Sequence, residues 1–283
     1  MPNIELEPFI RLSPWRKMSI SGWRPPYDPQ VYGRKEVDMS KALAYIEAES
    51  ERSGVRITPT DLVIRALALA MKRYHDSNVI VRMHRIFRRS QVNISATVAI
   101  PGRKADISCV IIRDADKKDV SQIAAMMRER AANIMRGRDE EFSRIRHSMI
   151  HVPFSLYRIV LWTISFLQYT LNLNLGFLGV PRDPFGGAMV TCLGSLGITE
   201  AYSPLSPITR VPILLSVGKV EDRPVAVDGQ VVVRPVCVLC STFDHRIMDG
   251  YLAGKMAKFI ERYMADPEKG EKYARLMQSP DES

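Results

Sequence analysis

The sequence is poor in the residues that build metal centres and disulfide frameworks. It has four cysteines and five histidines in 283 residues, and one cysteine pair, Cys237 and Cys240, has the C-x-x-C spacing of a metal or redox site, without a second pair. Cys237 and Cys240 are three residues apart, but they lie in a valine-rich run typical of a β-strand, where side chains three apart face opposite sides. We therefore expect no metal or redox centre and interpret all four cysteines as small, buried apolar residues, which suits a reducing cytoplasm.

The sequence also lacks a secretory leader and a nucleic-acid-binding motif. Residues 1–9 are acidic and contain no long apolar stretch, so we expect no signal peptide and a cytoplasmic location. The net charge of +9 comes from basic residues scattered along the chain, without an aromatic-rich RNA-binding signature. A solvated basic face explains this charge better than binding to nucleic acid, which we therefore do not expect.

Helix-like and strand-like segments alternate along the chain without an internal repeat. Helical patterns occupy residues 39–53, 58–74 and 119–135, and a last one begins near residue 252. Strand patterns occupy residues 79–83, 91–100, 107–113, 188–193 and 212–220, and a hairpin turn at Asp228-Gly229 precedes a strand that runs to Phe243. The start of the chain, to about residue 38, is predicted irregular, and a polar tail follows Asp266. The alternation predicts a single α/β domain over residues 1–283, with helices packed on a mixed β-sheet.

An apolar insertion extends from about residue 142 to residue 183. Arg158 is the only charged residue between Val152 and Pro181, and a helix of ~20 residues would match the ~30 Å apolar thickness of a bilayer. Its polar residues nevertheless fall on one helical stripe: Ser155, Arg158, Ser165, Gln168 and Asn172. This narrow stripe favours packing within the protein or at a subunit interface over a shallow membrane contact, and favours both over a membrane span.

The chemically suggestive segment runs from Asp244 to Gly250, where a valine-rich strand gives way to an amphipathic helix. Such junctions often carry catalytic groups, because a rigid scaffold aims them. His245 has the right chemistry for a general base that takes a proton from a thiol or hydroxyl attacking an acyl thioester. On spacing alone a structural histidine is more common, and Asp249 is equally well explained as the cap of the last helix.

Residues 241–250, which read STFDHRIMDG, closely resemble the active-site segment of the acyltransferase component of 2-oxo acid dehydrogenase complexes. Chloramphenicol acetyltransferase is similar through its histidine followed, after three residues, by an aspartate and a glycine. Further resemblances occur in order at residues 11–18, 105–121, 190–197 and 211–236. Together they cover most of the chain outside the insertion. The chain is therefore identified as a member of the family of dihydrolipoamide acyltransferase catalytic domains.

This resemblance implies a chloramphenicol-acetyltransferase-like, two-layer α/β fold that forms trimers. It implies that His245 is the general base for the thiol of coenzyme A or dihydrolipoamide. Thr191 matches the hydroxyl donor that stabilises the oxyanion, and the two residues would meet across a subunit interface. From the residues alone, Thr191 is an ordinary β-branched strand residue. Asp249 matches an orienting or structural aspartate, and Arg16 is a candidate for its ionic partner.

The function predicted in this way is coenzyme A-dependent acyl transfer between a thioester and a thiol or hydroxyl acceptor, without a metal. Three basic residues are candidates for contacts to the phosphates of coenzyme A, although each is also an ordinary solvated charge: Arg103, Lys104 and Lys219. The lipoyl and subunit-binding domains of the family do not fit before residue 39, so we expect a free-standing homotrimer or a larger assembly of trimers. Its acceptor is either a lipoyl group on a separate protein or a small hydroxyl or amine compound. The alternative is a catalytically silent scaffold or assembly protein that kept the fold, with the insertion serving either assembly or membrane contact.

Overall fold

The computed structural model describes residues 2–8, 13–14, 28–99, 107–136 and 152–277. Its strands are β1 (Leu6–Pro8), β2 (Gln30–Asp38), β3 (Val79–Arg82), β4 (Arg85–Arg89), β5 (Ile94–Ala99), β6 (Ile107–Ile112), β7 (Ala188–Cys192), β8 (Ile213–Val217), β9 (Glu221–Val227) and β10 (Gln230–Asp244). Its α-helices are α1 (Ser40–Ser53), α2 (Pro59–Arg73), α3 (Val120–Met135), α4 (Phe154–Ser165), α5 (Gly250–Ala265) and α6 (Pro267–Leu276).

The main sheet is mixed, as the sequence predicts. Its strand order is β2-β10-β8-β7-β5-β6, and β9 also pairs with the long strand β10. The pairs β5–β7 and β7–β8 are parallel, and the other pairs of this sheet are antiparallel. A smaller antiparallel sheet has the order β1-β4-β3. This topology places the end of β10, and with it the His245 segment, beside the start of β8.

Helix α2 occupies the centre of the helical layer. Thr58 and Asp61 form a capping box at its start, Pro59 occupies the first turn, and every residue from Asp61 to Met71 is buried. The helix packs against α3, α5 and the strands β7 and β8. A helix that is apolar on nearly all sides requires such a central position, because each face needs a partner.

Two segments differ from the sequence prediction. The stretch predicted irregular includes β2, which pairs along its whole length with β10. This edge strand is only half-buried, so its sequence lacks the clear alternation of apolar and polar residues that predicts a strand. The predicted polar tail contains α6, which Asp266 caps by accepting a hydrogen bond from the backbone N–H of Lys269. That capping residue, with Pro267 in the first turn, is the signal that would have predicted the helix.

The described part of the insertion packs against the protein mainly through its second half, whereas several apolar residues are exposed, among them Leu156, Ile159 and Phe177. Gln168 and Asn3 exchange hydrogen bonds, and Asp183 forms a buried ion pair with Arg89 at 2.7 Å. Of the polar stripe, Ser165 and Gln168 are buried, whereas Ser155 and Arg158 are exposed. Among the described residues, no helix has both the length and the apolar character needed to cross a bilayer. Packing inside the protein therefore explains the second half of the stripe.

Candidate active site

The segment between β10 and α5 is held rigidly at several points. The backbone N–H of His245 donates to the carbonyl oxygen of Pro29 at 2.8 Å, and the N–H of Met248 donates to that of Asp244 at 2.9 Å. The carboxylate of Asp249 then caps α5 by accepting from the N–H of Leu252 at 2.9 Å. The loop is therefore fixed before any ligand binds.

The imidazole of His245 is oriented by the main chain of its own loop. Its Nδ1 lies 2.7 Å from the carbonyl oxygen of Met248. A carbonyl oxygen only accepts hydrogen bonds, so Nδ1 carries the proton in this contact. In that neutral tautomer Nε2 has the lone pair, which is the arrangement a general base needs. The ring is half-buried, so it retains access to solvent.

Asp244 and Arg246 brace the loop on either side of His245. The carboxylate of Asp244 is buried and receives the guanidinium of Arg246 through both oxygens, with a shortest distance of 2.6 Å. It also accepts the backbone N–H of Arg246 at 3.0 Å. A bidentate, charge-assisted pair two residues apart closes the turn that contains His245. Both residues belong to the segment 241–250, but the sequence alone predicts no role for either.

Thr191 belongs to a row of polar side chains on the face of the sheet that lies away from the helices. It pairs in register with Ser216, and Ser216 pairs with Cys240. Residues next to them along the strands belong to the core beneath the helices, namely Val190, Leu215, Val217 and Leu239, so Thr191 and its row point to the other face. The hydroxyl of Thr97 donates to Oγ1 of Thr191 at 2.8 Å. Thr191 therefore keeps its own hydroxyl hydrogen for another acceptor.

His245 and Thr191 are not brought together within one chain. The register aligns Thr191 with Cys240, two strands away and five residues before His245 on β10. From standard strand rise and spacing, the two residues are about 20 Å apart. A hydroxyl at that distance cannot contact an oxyanion formed beside His245 of the same chain.

Of the residues proposed to contact coenzyme A or Asp249, only Lys219 lies in the described part of the chain. Lys219 is exposed and follows β8 at the end of the sheet near Thr191, away from His245. Arg16, Arg103 and Lys104 lie outside the described residues. The observed contact of Asp249 is the cap of α5, which is the structural one of the two roles considered for it, cap or orienting aspartate.

The cysteines correct one sequence expectation. Cys237 and Cys240 are buried and point to opposite faces of the sheet, as expected, and burial raises the pKa of Cys237 to about 12. Cys109 and Cys192, however, are only half-buried. Cys109 lies on the face that the helices leave uncovered, and Cys192 ends β7, so neither reaches the centre of the core. Within the described ranges, no cluster of three or more histidine, cysteine or acidic residues is placed to hold a metal ion.

Comparison with known proteins places these residues in a family context. A model of the family "2-oxoacid dehydrogenases acyltransferase (catalytic domain)" matches residues 26–143 and 185–270, and the gap between these ranges corresponds to the insertion. The chain is 25% identical over 244 residues to the dihydrolipoyllysine-residue acetyltransferase component of the pyruvate dehydrogenase complex of Zymomonas mobilis. The match covers 84% of this chain and 45% of that protein. The chain thus spans about half the length of the curated relatives it matches.

Solved structures support the same fold. A probable dihydrolipoamide acetyltransferase from Listeria monocytogenes superposes with a TM-score of 0.62 at 20% identity, covering 93% of this chain and 97% of that one. A chloramphenicol acetyltransferase gives a TM-score of 0.51 at 12% identity, covering 92% of this chain and 100% of the other. The chloramphenicol-acetyltransferase-like α/β fold predicted from the sequence is confirmed.

Proposed function

The chain belongs to the 2-oxoacid dehydrogenase acyltransferase family, and we propose that it transfers an acyl group between coenzyme A and a thiol or hydroxyl acceptor. The orientation of His245 carries this proposal. Its Nδ1–H is committed to the carbonyl oxygen of Met248, so Nε2 is the basic nitrogen. A histidine kept only for packing has no need of a fixed tautomer at the end of a braced loop.

In the proposed reaction Nε2 of His245 takes the proton from the attacking thiol or hydroxyl as that group bonds to the thioester carbon. The carbonyl oxygen becomes an oxyanion, which accepts a hydrogen bond from the hydroxyl of Thr191. Collapse of the tetrahedral intermediate breaks the original carbon–sulfur bond. The departing thiolate recovers the proton from the imidazolium, so the histidine returns to its starting form.

The separation of His245 and Thr191 supports a site that two copies of the chain complete. Because about 20 Å separates them within one chain, the oxyanion donor near each His245 has to come from a neighbouring copy. This fits the trimer that the family resemblance implies. Lys219 follows Ser216, the β8 partner of Thr191, by three residues, so it is a candidate contact for coenzyme A bound at the same interface.

The acceptor is proposed to be a lipoyl group on a separate protein or a small thiol or hydroxyl compound. The mechanism needs only an ionisable hydrogen on the attacking atom, so both acceptors fit the residues of the site.

The test is acyl transfer from a panel of acyl-coenzyme A thioesters to free dihydrolipoamide, followed as thiol release. We expect turnover by the wild type and a loss of at least ~100-fold in His245→Ala. His75→Ala, which changes an exposed histidine outside the loop, is the matched control and should keep full activity. Turnover of none of the thioesters, or equal activity of wild type and His245→Ala, would favour the scaffold alternative.

A further inference from the structure

A cavity of about 260 Å³ lies beside the His245 loop. Its wall includes Pro29, whose carbonyl oxygen holds the backbone of His245, and Asp244 and Arg246 of the loop itself. The insertion contributes Trp162. One cavity therefore joins the catalytic loop to the segment that the family model does not cover.

Two arginines and two aspartates line this cavity, and Arg210 is the arginine that has no ion-pair partner among the described residues. Arg246 is already paired with both oxygens of Asp244. Asp28 also lines the cavity, but its carboxylate is exposed, accepts hydrogen bonds from Gln30 and forms no ion pair with Arg210. Within the described part of the chain, Arg210 forms no ion pair, and the hydrogen bond of its guanidinium is a long one, 3.4 Å from Nε to a serine hydroxyl of the insertion.

The position of Arg210 is costly without a counter-charge. Its side chain is half-buried, and its backbone is left-handed, with φ of 56°, which is uncommon for a residue with a Cβ. Burial and then the nearby Arg246 lower the pKa of Arg210, although an arginine stays protonated at neutral pH. A partly desolvated cation beside a second cation is stabilised when an anion binds between them and solvent.

The rest of the cavity is suited to a short apolar group. Trp162, Val81, Leu205 and Val211 contribute apolar side chains to its wall. A ligand with an anionic end at Arg210 and a small apolar body against these residues matches both parts of the lining. An inorganic anion would match only the Arg210 end of the cavity and leave the apolar wall without a partner.

We propose that this cavity is a subsite for the anionic group of a substrate, a carboxylate or a phosphate, with Arg210 as the residue that binds it. Trp162 and Leu205 pack against the apolar part of the same ligand. Binding of an anion is independent of the proposed function, whereas its role as a substrate subsite rests on that function.

The first experiment measures binding by calorimetry at low salt with the full chain. The probes are glutarate for a carboxylate, inorganic phosphate and adenosine 3′,5′-bisphosphate for a phosphate, and glutaramide as the uncharged match of glutarate. We expect one of the anions, but not glutaramide, to bind the wild type. Arg210→Gln should weaken that binding at least ~10-fold, because it removes a charge-assisted hydrogen-bond donor. Arg210→Lys should retain part of the affinity.

Two further variants keep the test decisive. Arg158→Gln removes an exposed arginine of α4 and should bind the anion as the wild type does. Leu205→Trp fills the cavity and should abolish binding even if Arg210→Gln does not fold. The inference is overturned if the wild type binds no anion, or if a folded Arg210→Gln or Leu205→Trp protein binds the anion as tightly as the wild type. Preference for glutarate identifies a carboxylate ligand, and preference for the bisphosphate identifies a nucleotide phosphate.

Turnover separates this inference from the proposed function. If a carboxylate is the ligand, Arg210→Gln should raise KM for glutaryl-coenzyme A and leave KM for pentanoyl-coenzyme A, of equal chain length, nearly unchanged. Anion binding that depends on Arg210, in a protein that turns over no thioester, would support the anion site and sink the proposed function. Turnover that depends on His245, with anion binding insensitive to Arg210→Gln, would support the proposed function and contradict the anion site.

Discussion

The hydroxyl of Thr97 donates to the hydroxyl of Thr191 across 2.8 Å between the neighbouring strands β5 and β7. If Thr191 is the oxyanion donor, Thr191→Val should lower kcat/KM about 100-fold, whereas Thr191→Ser should keep most of it. Thr97→Val removes only the group that orients Thr191, so its loss should be smaller. Steady-state kinetics with one acyl-coenzyme A would check all three. Equal activity of Thr191→Val and the wild type would remove Thr191 from the mechanism.

A site shared between copies predicts that two inactive variants repair one another. Each copy of His245→Ala still offers Thr191, and each copy of Thr191→Val still offers His245. In a randomly mixed assembly of equal amounts, about a quarter of the interfaces would combine the two intact residues. Activity should therefore rise after the two proteins are unfolded together and refolded, relative to each refolded alone. No rise, although both refold and mix, would argue for a site within one chain.

Asp249 offers a way to separate capping from catalysis. Asp249→Ala removes the acceptor for the backbone N–H of Leu252 and should lower the free energy of unfolding by about 1 kcal/mol. Asp249→Asn keeps a capping oxygen and should unfold like the wild type. If Asp249→Asn is stable yet slow in turnover, the carboxylate charge also orients the site. Denaturant unfolding and steady-state kinetics of the same samples would decide.

The buried ion pair of Arg65 and Glu271 is expected to fasten α6 to the core. Both oxygens of Glu271 accept from Arg65, and Oε1 also accepts from Tyr263 at 2.6 Å. Glu271→Ala should lower the free energy of unfolding by about 3–5 kcal/mol, because it strands a buried guanidinium. Glu49→Ala breaks the pair with Arg52, whose side chain is largely exposed, and should cost less than about 1 kcal/mol. A similar small effect of both variants in urea unfolding would contradict the prediction.

The thiol of Cys237 should titrate differently in the folded and unfolded protein. Burial raises its pKa from 9.0 to about 12, so between these values the unfolded state loses a proton that the folded state keeps. Its contribution to stability is therefore complete below pH 9 and is lost as the pH rises towards 12. Comparison of the pH dependence of unfolding in Cys237→Ala and the wild type would isolate this effect. In the native wild type we also expect slow alkylation of Cys237 at pH 8.

Local patterns predicted the parts of the molecule that local forces determine. The cap at Thr58, the hairpin at Asp228 and the loop around His245 are each encoded by adjacent residues, so the sequence alone located them. Strand β2 was not predicted, because an edge strand buries few side chains on either face and so shows a weak hydrophobic pattern. The cavity at Arg210 was beyond sequence reasoning, because it depends on side chains that the fold gathers from distant segments.

The insertion lies between α3 and β7, outside the strand pairings that set the main sheet. Loop-closure entropy grows slowly with length, so a longer connection at this point costs the scaffold little. The segment nevertheless supplies Trp162 to the cavity that Asp244 and Arg246 of the His245 loop also line. Replacing it with a short connection should therefore change which substrates are accepted, while His245, Thr191 and the sheet that carries them keep their positions.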